Sequence, residues 1–479
     1  MNRAMSKVFI ISAVLFVALI VNLTWLMTVR AQWFQDRPEN KRSIAKEMKI
    51  KRGDILGYDG SVVAGTERRS GYYYRDYPSG TFAPQLLGYD SVRYGRSGIE
   101  AQLNDALTGQ ATDLGVQSWV DRVLGRRPKG ADVRLTLVPA VQKVAQQELH
   151  GLKGAIVVLD PKTGALIASA SAPTYDPANL EDQWPRLSTD TSAPLLNRPA
   201  QGLYVPGSAF KVVTASAGLD TGKVTPETEF VDTGTYVVFG GKVTNYGGAV
   251  YGVNDLTTAL TLSINTTFAK VGNLLGRKRL IAGMERYGFY QTPPLALPAG
   301  EVLPSGRYGK RGLLPPGAFM DPLDVAWAAC GQEKVLATPL QMALVAGGVA
   351  NGGRVMKPYY LQEIVTATGD VVSVTQPEQW LVATKALTAS QLNTMMQNVV
   401  NAGTGTAAAL EGIQVAGKTG TAEKGDGSNL AWFIGFAPAD DPQVAVAVVI
   451  EDTQSTGGEA AAPLAAEVIK SALAQPALP

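Results

Sequence analysis

The sequence predicts an α+β protein in which an antiparallel sheet packs against helices. Residues 154–171 contain two apolar, β-rich runs on either side of Asp160-Pro-Lys-Thr-Gly164, which is a hairpin signature. Residues 208–350 are mostly helical in pattern, and strand-like runs return near the end of the chain, before a last helical segment. The early hairpin and the late strands are therefore expected to meet in one sheet.

Each element of this prediction has its own signal. The clearest helices of the middle region are 260–275 and 338–349, which we expect to form part of a helical subdomain. The late strands are predicted over 414–422, 430–437 and 444–450, and the closing helix over 460–474.

Length and charge limit the possible functions. The chain has 479 residues, which suits two or three domains with a large core. With 46% hydrophobic and 18% charged residues, the chain is not predominantly disordered. The 43 basic residues nearly balance the 41 acidic ones, for a net charge of +2. Such a balance gives no long-range field for a polyanion, which argues against nucleic acid as the principal partner.

The chain has one cysteine, Cys330, and one histidine, His150. A single cysteine forms no internal disulfide, and a single histidine excludes a multi-histidine metal site. Any acid–base catalyst is expected to be Lys, Asp or Glu. Cys330 is predicted to be buried at the end of a helix, and His150 to lie on the surface.

Residues 8–29 form an uncharged, mostly apolar run of 22 residues. As a helix it would be about 33 Å long, enough to cross a bilayer. The alternative is a cleaved signal peptide, but this run is too long, and Thr28-Val29-Arg30-Ala31 is a poor cleavage site. We predict an uncleaved, single-pass anchor. Basic residues lie on both sides of the run, so charge does not decide its orientation.

The remaining chain divides by composition. Residues 30–150 are rich in Gly, Tyr, Arg and Asp, with frequent turn signals, and predict a small, loop-rich, membrane-proximal module. Residues 151–479 carry the predicted sheet and helices. The prediction is thus a tail over 1–7, an anchor over 8–29, the module over 30–150 and a second domain over 151–479.

Three short motifs follow one another in the second domain: Ser208-Ala-Phe-Lys211, Ser263-Ile-Asn265 and Lys418-Thr-Gly420. Each is weak alone, and two decoys occur. Ser43-Ile-Ala-Lys46 lies in a charged stretch after the anchor, and Lys162-Thr-Gly164 lies in the predicted hairpin turn. Their contexts indicate structural roles for both decoys.

Ser208 follows Pro206-Gly207 and precedes a helical pattern, so it is predicted at a helix N-terminus. The spacing i, i+3 places Lys211 on the same face as Ser208, which suits a nucleophile with an adjacent base. A neutral Lys211 at pH 7 requires its pKa to fall from about 10.4 to about 7, which corresponds to roughly 4.6 kcal/mol. Burial and a nearby cation, for which Lys418 is the candidate, are the expected causes.

Ser263 and Asn265 face one cleft only if a turn separates two helices there. Ser263 is then a candidate proton relay, and Asn265 a candidate contact for a substrate peptide group. In the predicted strand, Gly420 allows a close backbone approach. The backbone N–H groups of Thr421 and Ser208 are candidate donors of an oxyanion hole. The Thr419 and Thr421 hydroxyls are candidates for binding a carboxylate.

This motif set resembles that of the penicillin-binding proteins and serine β-lactamases. The chain is most similar to the monofunctional class B penicillin-binding proteins, and among them to compact actinobacterial members. The middle motif reads Ser-Ile-Asn instead of Ser-Asp-Asn, at a position that varies in the family. Further segments that resemble this class are Arg52-Gly-Asp-Ile-Leu-Gly-Tyr-Asp-Gly60, Ser97-Gly-Ile-Glu100, Asn197-Arg198, Thr338-Pro-Leu-Gln-Met-Ala343, Gly403-Thr-Gly405 and Trp432-Phe-Ile-Gly435.

The resemblance implies a penicillin-binding, serine-type D,D-transpeptidase on the outer face of the cell membrane, and it implies no metal or organic cofactor. It would cross-link peptidoglycan stem peptides in cell-wall synthesis, with a role in division. By resemblance, Ser208 is the nucleophile acylated by β-lactams, Lys211 the base and Ser263 the relay. Asn265 contacts substrate, and Lys418, Thr419, Gly420 and Thr421 form the carboxylate-binding strand.

The module over 30–150 is too short for a glycosyltransferase domain, so the resemblance implies a separate partner that polymerises glycan, such as a polytopic membrane glycosyltransferase. The module then serves as a pedestal, although its charged residues also suit internal ion pairs. A membrane-anchored D,D-carboxypeptidase or β-lactamase would share every motif and differ in sending the acyl-enzyme to water. A non-catalytic β-lactam sensor or scaffold is a further alternative.

Overall fold

The computed structural model describes residues 3–28, 30, 47–111, 129–476 and 478. The first helix, α1, spans Arg3–Thr28. Its segment Met5–Thr28 has a mean hydropathy of 2.5 and is long enough to cross a membrane. It fits the predicted single-pass anchor. The decoy Ser43 lies outside the described residues.

The described helices and strands follow in chain order. The remaining helices are α2 Pro84–Leu87, α3 Gly98–Gln102, α4 Asn104–Leu107, α5 Pro139–Glu148, α6 Leu180–Leu187, α7 Arg198–Gln201, α8 Lys211–Asp220, α9 Leu256–Thr261, α10 Asn265–Arg286, α11 Pro322–Ala329, α12 Pro339–Ala350, α13 Ala386–Ala402 and α14 Gly457–Leu473. The strands are β1 Ile55–Leu56, β2 Val62–Arg69, β3 Tyr72–Asp76, β4 Asp90–Ser91, β5 Gly95–Arg96, β6 Asp132–Leu135, β7 Gly154–Leu159, β8 Leu166–Ala172, β9 Glu229–Asp232, β10 Thr235–Val238, β11 Gly241–Thr244, β12 Gly252–Asp255, β13 Gly306–Gly309, β14 Gly312–Leu313, β15 Val335–Leu336, β16 Arg354–Met356, β17 Leu361–Val365, β18 Val371–Val374, β19 Gln379–Val382, β20 Ala416–Glu423, β21 Asn429–Ala437 and β22 Val444–Thr453.

The central sheet has the strand order β20-β21-β22-β7-β8, and every pair in it is antiparallel. Strand β22 pairs with β7, so that Ile450 lies opposite Gly154 and Ala445 opposite Leu159. The predicted meeting of the early hairpin with the late strands is therefore confirmed, as is the α+β fold class. The decoy Lys162 lies in the β7–β8 turn, as predicted, and pairs with Asp441 on the surface.

Helices cover both faces of this sheet. Alternate residues of β22, such as Val446 and Val448, pack with α5 and α14 in one hydrophobic cluster. Their neighbours Ala445 and Ala447 point to the opposite face and pack in the second, larger cluster, which contains α12. This alternation is the period of two that a strand imposes.

The helical subdomain contains α8, α9, α10 and α11. The helix predicted over 338–349 is confirmed as α12. The continuous helix predicted over 260–275 is wrong, because the chain turns between α9 and α10 and Ser263 takes a positive φ of 63°. That turn is the one that the pairing of Ser263 with Asn265 required. Cys330 is buried at the end of α11, and His150 is exposed, both as predicted.

A second sheet has the order β18-β17-β6-β1-β2-β3. Strands β1, β2, β3 and β6 come from the membrane-proximal module, whereas β17 and β18 come from much later in the chain. Strand β17 pairs antiparallel with β6, with Ile364 opposite Val133. Helix α5 precedes the predicted boundary at residue 150 but packs on the central sheet. The domain boundaries stay predictions.

The module is held together by buried ion pairs around Glu100, whose side chain is fully buried. Arg52 Nε and Nη2 donate to Glu100 Oε2 at 2.9 and 2.8 Å. The Arg75 guanidinium contacts the other carboxylate oxygen. These contacts bring together side chains from β3, α3 and the segment before β1, and they fit the ion-pair interpretation of the module's charges.

Candidate active site

Ser208 lies in a 3₁₀ turn, Gly207–Phe210, that leads directly into α8. Gly207 has a positive φ of 52°, and a Cβ there would lie 2.6 Å from the Thr421 carbonyl oxygen. Only glycine permits this close packing of the turn against β20. Ser208 is half-buried, and its hydroxyl makes no hydrogen bond to any described residue. The predicted position at a helix N-terminus is thus what the structure shows.

Lys211 is the first residue of α8 and is fully buried. Its Nζ donates to the Ser263 carbonyl oxygen and to Asn265 Oδ1, both at 2.7 Å. A longer contact of 3.3 Å joins the same Nζ to Ser263 Oγ. The turn between α9 and α10 therefore presents three acceptors to the lysine.

Lys418 reaches the same hydroxyl from β20. Its Nζ donates to Ser263 Oγ at 2.9 Å and to the Thr419 carbonyl oxygen at 3.0 Å, and its side chain is fully buried. Two lysines thus converge on the Ser263 hydroxyl, which lines the cavity. This arrangement suits a hydroxyl that passes a proton between a lysine and a bound molecule.

The two buried ammonium groups have lowered pKa values. Burial lowers the pKa of Lys211 to about 8. Burial also lowers the pKa of Lys418 well below its ordinary value, and the charge on Lys211 lowers it further. The sequence attributed the shift of Lys211 to burial and to Lys418. Burial is the larger cause for both lysines, and the like charges of the two groups oppose each other's protonation.

These residues border a cavity of about 710 Å³. Ser208, Ser263, Asn265, Thr419 and Thr421 line it, as the predicted site requires. The lysines lie behind this lining and reach the cavity through Ser263.

Gly420 also lies behind the lining, because a Cβ there would be 2.5 Å from the Pro206 carbonyl oxygen and 3.0 Å from the Ala209 nitrogen. In this structure its missing side chain lets β20 pack against the Ser208 turn. A role in substrate approach stays a prediction.

Several lining residues carried no sequence signal. The segment from Thr244 to Tyr251 forms one wall, and Trp327, Gln332 and Thr456 come from distant parts of the chain. Thr404 lies in the Gly403-Thr-Gly405 motif, which the family resemblance quoted without a role. Its hydroxyl lies 2.5 Å from that of Thr419.

A larger cavity of about 910 Å³ lies beside β3 and α6, lined by residues such as Tyr74, Arg75 and Glu181. None of the three motifs borders it. We therefore place the candidate active site in the smaller cavity, on the chemistry of its lining and not on its volume.

The pKa of Lys211 predicts a pH profile. Because only neutral Lys211 accepts a proton, we expect the second-order rate constant for acylation of Ser208, measured well below saturating penicillin, to rise with pH through a midpoint at about 8. Below the midpoint the rate should fall about tenfold per pH unit. Stopped-flow measurement with a fluorescent penicillin, from about pH 6 to about pH 9, tests this. Lys162→Ala should leave the profile unchanged, and a flat wild-type profile would remove Lys211 as the base.

Comparison with known proteins identifies the class. Residues 154–470 match the family model described as penicillin binding protein transpeptidase domain. Residues 52–133 match the model described as penicillin binding protein A dimerisation domain. The chain belongs to the penicillin-binding protein transpeptidase family, and the predicted resemblance to its class B members is confirmed.

The individual relatives are similar over nearly the whole chain. The peptidoglycan D,D-transpeptidase PbpA of Mycolicibacterium smegmatis is 34% identical over 99% of both chains. PbpA of Mycobacterium tuberculosis is 32% identical, also over 99% of both. The solved structure of penicillin-binding protein A from M. tuberculosis as a penicillin G acyl-enzyme complex superposes with a TM-score of 0.80. It is 32% identical and covers 88% of this chain and 100% of that one.

Proposed function

We propose that this protein is a membrane-anchored peptidoglycan D,D-transpeptidase and a target of β-lactams. One observation carries the proposal: Lys211 and Lys418 converge on Ser263 at the cavity that Ser208 lines, in a chain of the penicillin-binding transpeptidase family. The relatives named above as D,D-transpeptidases and the penicillin G acyl-enzyme structure support both parts of it.

In the first half-reaction, neutral Lys211 accepts the Ser208 hydroxyl proton as Oγ attacks the penultimate D-Ala carbonyl carbon of a stem peptide. The oxygen–carbon bond forms and the carbonyl oxygen becomes an oxyanion. We assign the Ser208 and Thr421 N–H groups as its hydrogen-bond donors. The carbon–nitrogen bond then breaks, the proton reaches the leaving nitrogen through Ser263, and D-Ala departs from the ester.

In the second half-reaction, an amine of a neighbouring stem peptide attacks the ester carbon. The amine loses a proton to the same lysine and hydroxyl relay, the new amide bond forms, and the ester bond breaks. The proton returns to Ser208 Oγ. The net result is one cross-link for one released D-Ala, with the enzyme unchanged.

The terminal carboxylate of the donor peptide is assigned to Thr419, Thr421 and Lys418. A carboxylate beside Lys418 raises the pKa of that lysine, because an opposite charge favours the protonated form. Lys418 then holds the charge near the substrate. Like-charge repulsion keeps the neighbouring Lys211 neutral, as a base must be. Substrate binding thereby prepares Lys211, which accounts for two buried lysines around one hydroxyl.

We propose further that the N-terminus is cytoplasmic and that residues 151–479 catalyse on the outer face of the membrane, where peptidoglycan lies. The module over 30–150 would then hold the catalytic domain above the membrane. Since residues 30–150 are too few for a glycosyltransferase domain, we propose a separate glycan-polymerising partner, such as a polytopic membrane glycosyltransferase, and a role in division.

The hydrolase alternative has one supporting observation. Glu423 lines the same cavity at the end of β20, on the same side of the strand as Thr419 and Thr421. A carboxylate in this place is a candidate base for activating water. Its side chain is exposed.

Labelling of the full-length protein in detergent with a fluorescent penicillin tests the proposal. We expect one label per chain, mapped by peptide mass spectrometry to Ser208 and retained for about an hour, because the proposal makes Ser208 the nucleophile that forms a stable ester. Given a pentapeptide donor and a D-amino-acid acceptor, the exchange product should exceed the hydrolysis product.

Two outcomes would contradict the proposal. Rapid loss of label with continued turnover would indicate a hydrolase, and Glu423→Gln should then prolong the label if Glu423 is the water-activating base. No label on the folded protein would leave only a binding role.

A further inference from the structure

Asp232, at the end of β9, is a buried carboxylate with 1% of its surface exposed. Its Oδ1 accepts hydrogen bonds from Thr266 Oγ1 at 2.5 Å and from the Gly234 N–H at 2.9 Å. Its Oδ2 accepts from Asn245 Nδ2 at 2.9 Å and from the Tyr251 N–H at 2.8 Å. All four of these donors are uncharged groups. Burial alone would raise the pKa of Asp232, but these four hydrogen bonds outweigh it and lower the pKa.

Two of these donors fix a wall of the active-site cavity. Asn245 and Tyr251 are the two ends of the segment whose middle residues, Tyr246, Gly247 and Gly248, line the cavity. Asn245 is buried, whereas Tyr246 is 63% exposed. A single carboxylate thus holds both ends of a wall whose central residues, Tyr246, Gly247 and Gly248, are exposed.

Thr266 connects Asp232 to the turn between α9 and α10. Thr266 stands in the first turn of α10, and its N–H donates to Asn245 Oδ1 at 3.1 Å. The adjacent Asn265 donates from Nδ2 to the Thr244 carbonyl oxygen at 2.9 Å, and its Oδ1 accepts from Lys211. Asp232 therefore joins the cavity wall to the residue that orients Lys211.

We propose that Asp232 is a positioning residue for acylation: it fastens the segment from Asn245 to Tyr251 to the start of α10, and so holds Asn265 against Lys211. It touches no reacting atom itself. The inference rests on the proposed acylation of Ser208, and wild-type labelling tests that point separately.

An amide cannot replace this carboxylate. Each oxygen of Asp232 accepts one backbone N–H, from Gly234 or from Tyr251. In either orientation, the NH₂ group of an asparagine would face one of these N–H groups, and one buried donor would lose its acceptor. Asp232→Asn therefore changes few atoms but disrupts the hydrogen bonds that join the segment from Asn245 to Tyr251 to the start of α10.

The test measures the acylation step of fluorescent penicillin in stopped flow, per site titrated by the end-point label. For Asp232→Asn we expect the first-order acylation constant to fall about tenfold, because small displacements of catalytic groups are costly in rate. The penicillin concentration that gives half of the maximal rate should change less. A role in stability alone would lower the melting temperature and the number of titrated sites, but would leave this constant per site unchanged.

Asp255→Asn is the matched control. Asp255 lies on β12, the strand paired with β9, and its Oδ1 caps α9 through the Thr258 N–H at 2.7 Å. Asparagine caps helices as well as aspartate does, so this variant should acylate at the wild-type rate. A wild-type acylation constant for Asp232→Asn would overturn the proposal.

A second pair of variants serves if Asp232→Asn does not fold. Thr266→Val keeps the shape of the side chain and removes the hydroxyl that donates to Asp232, whereas Thr266→Ser keeps that donor. We expect slower acylation with Val and near-wild-type acylation with Ser. Equal acylation rates in the two variants would contradict the proposed positioning role of Asp232.

Discussion

Replacing Ser208 by alanine is expected to abolish labelling by a fluorescent penicillin without a fall in melting temperature. The hydroxyl is the acylated group, so its loss leaves nothing to form the ester. It makes no hydrogen bond to any described residue, and the backbone of the turn is unchanged, so little stability depends on it. Gel fluorescence at saturating label, with a thermal scan of the same sample, measures both quantities.

Two other serines make this result specific. Ser43→Ala removes the serine of the decoy Ser-x-x-Lys motif and should label like the wild type. Ser263→Ala keeps the nucleophile but removes the relay between the lysines, so it should label more slowly. Full labelling of Ser208→Ala would show that another residue is the nucleophile. Ser263 would then be the first residue to examine by peptide mapping.

Replacing Glu100 by glutamine is expected to lower the free energy of unfolding of the membrane-proximal module by about 3 to 5 kcal/mol. Its carboxylate is fully buried between Arg52 and Arg75, and Arg52 alone donates twice to it. A neutral amide would leave Arg75 without its paired carboxylate, and Arg52 with only the longer contact to Asp90 Oδ2 at 3.8 Å. Denaturant unfolding of the full-length protein in detergent, followed by tyrosine fluorescence, measures the loss.

Glu67→Gln is the control for this prediction. Glu67 pairs with Arg69 on the surface, where the two side chains are 51% and 65% exposed. Surface pairs contribute little to stability, so this variant should unfold like the wild type. If Glu100→Gln also unfolded like the wild type, the buried cluster would not stabilise the module. Penicillin labelling of either variant reports on the catalytic domain and separates a local loss from a global one.

The central sheet was predictable because its strands are apolar, regular and bounded by turns. Strands such as β7 and β22 are buried throughout most of their length, and the β7–β8 turn has a strong local signature. The second sheet was not predictable, because its paired strands β6 and β17 are separated in sequence by most of the catalytic domain. The apolar pattern does not indicate the break before α10, because Leu262 and Ile264 continue it on either side of Ser263. Only the required pairing of Ser263 with Asn265 in one cleft indicated a turn there.

The motif residues of the site were predictable from their residue types and order, together with the family resemblance. The cavity wall was not, because Asn245 and Tyr251 act through a carboxylate that stands in an ordinary turn sequence, Asp232-Thr-Gly234. Only the folded chain shows that this aspartate faces inward. Gly420 illustrates the same limit: its spacing suggested substrate approach, whereas its neighbours in the structure are Pro206 and Ala209.

The pairing of β17 with β6 also sets an order of events during biosynthesis. Strand β6 leaves the ribosome early, but its partner β17 follows only after most helices of the catalytic domain have been made. Until then, one edge of β6 has no partner and is open to pairing with other chains. The sheet of the module that follows the anchor in sequence is therefore completed late in synthesis. Moreover, residues 47–135 cannot be transplanted between homologues as a cassette unless the strands at 361–374 travel with them.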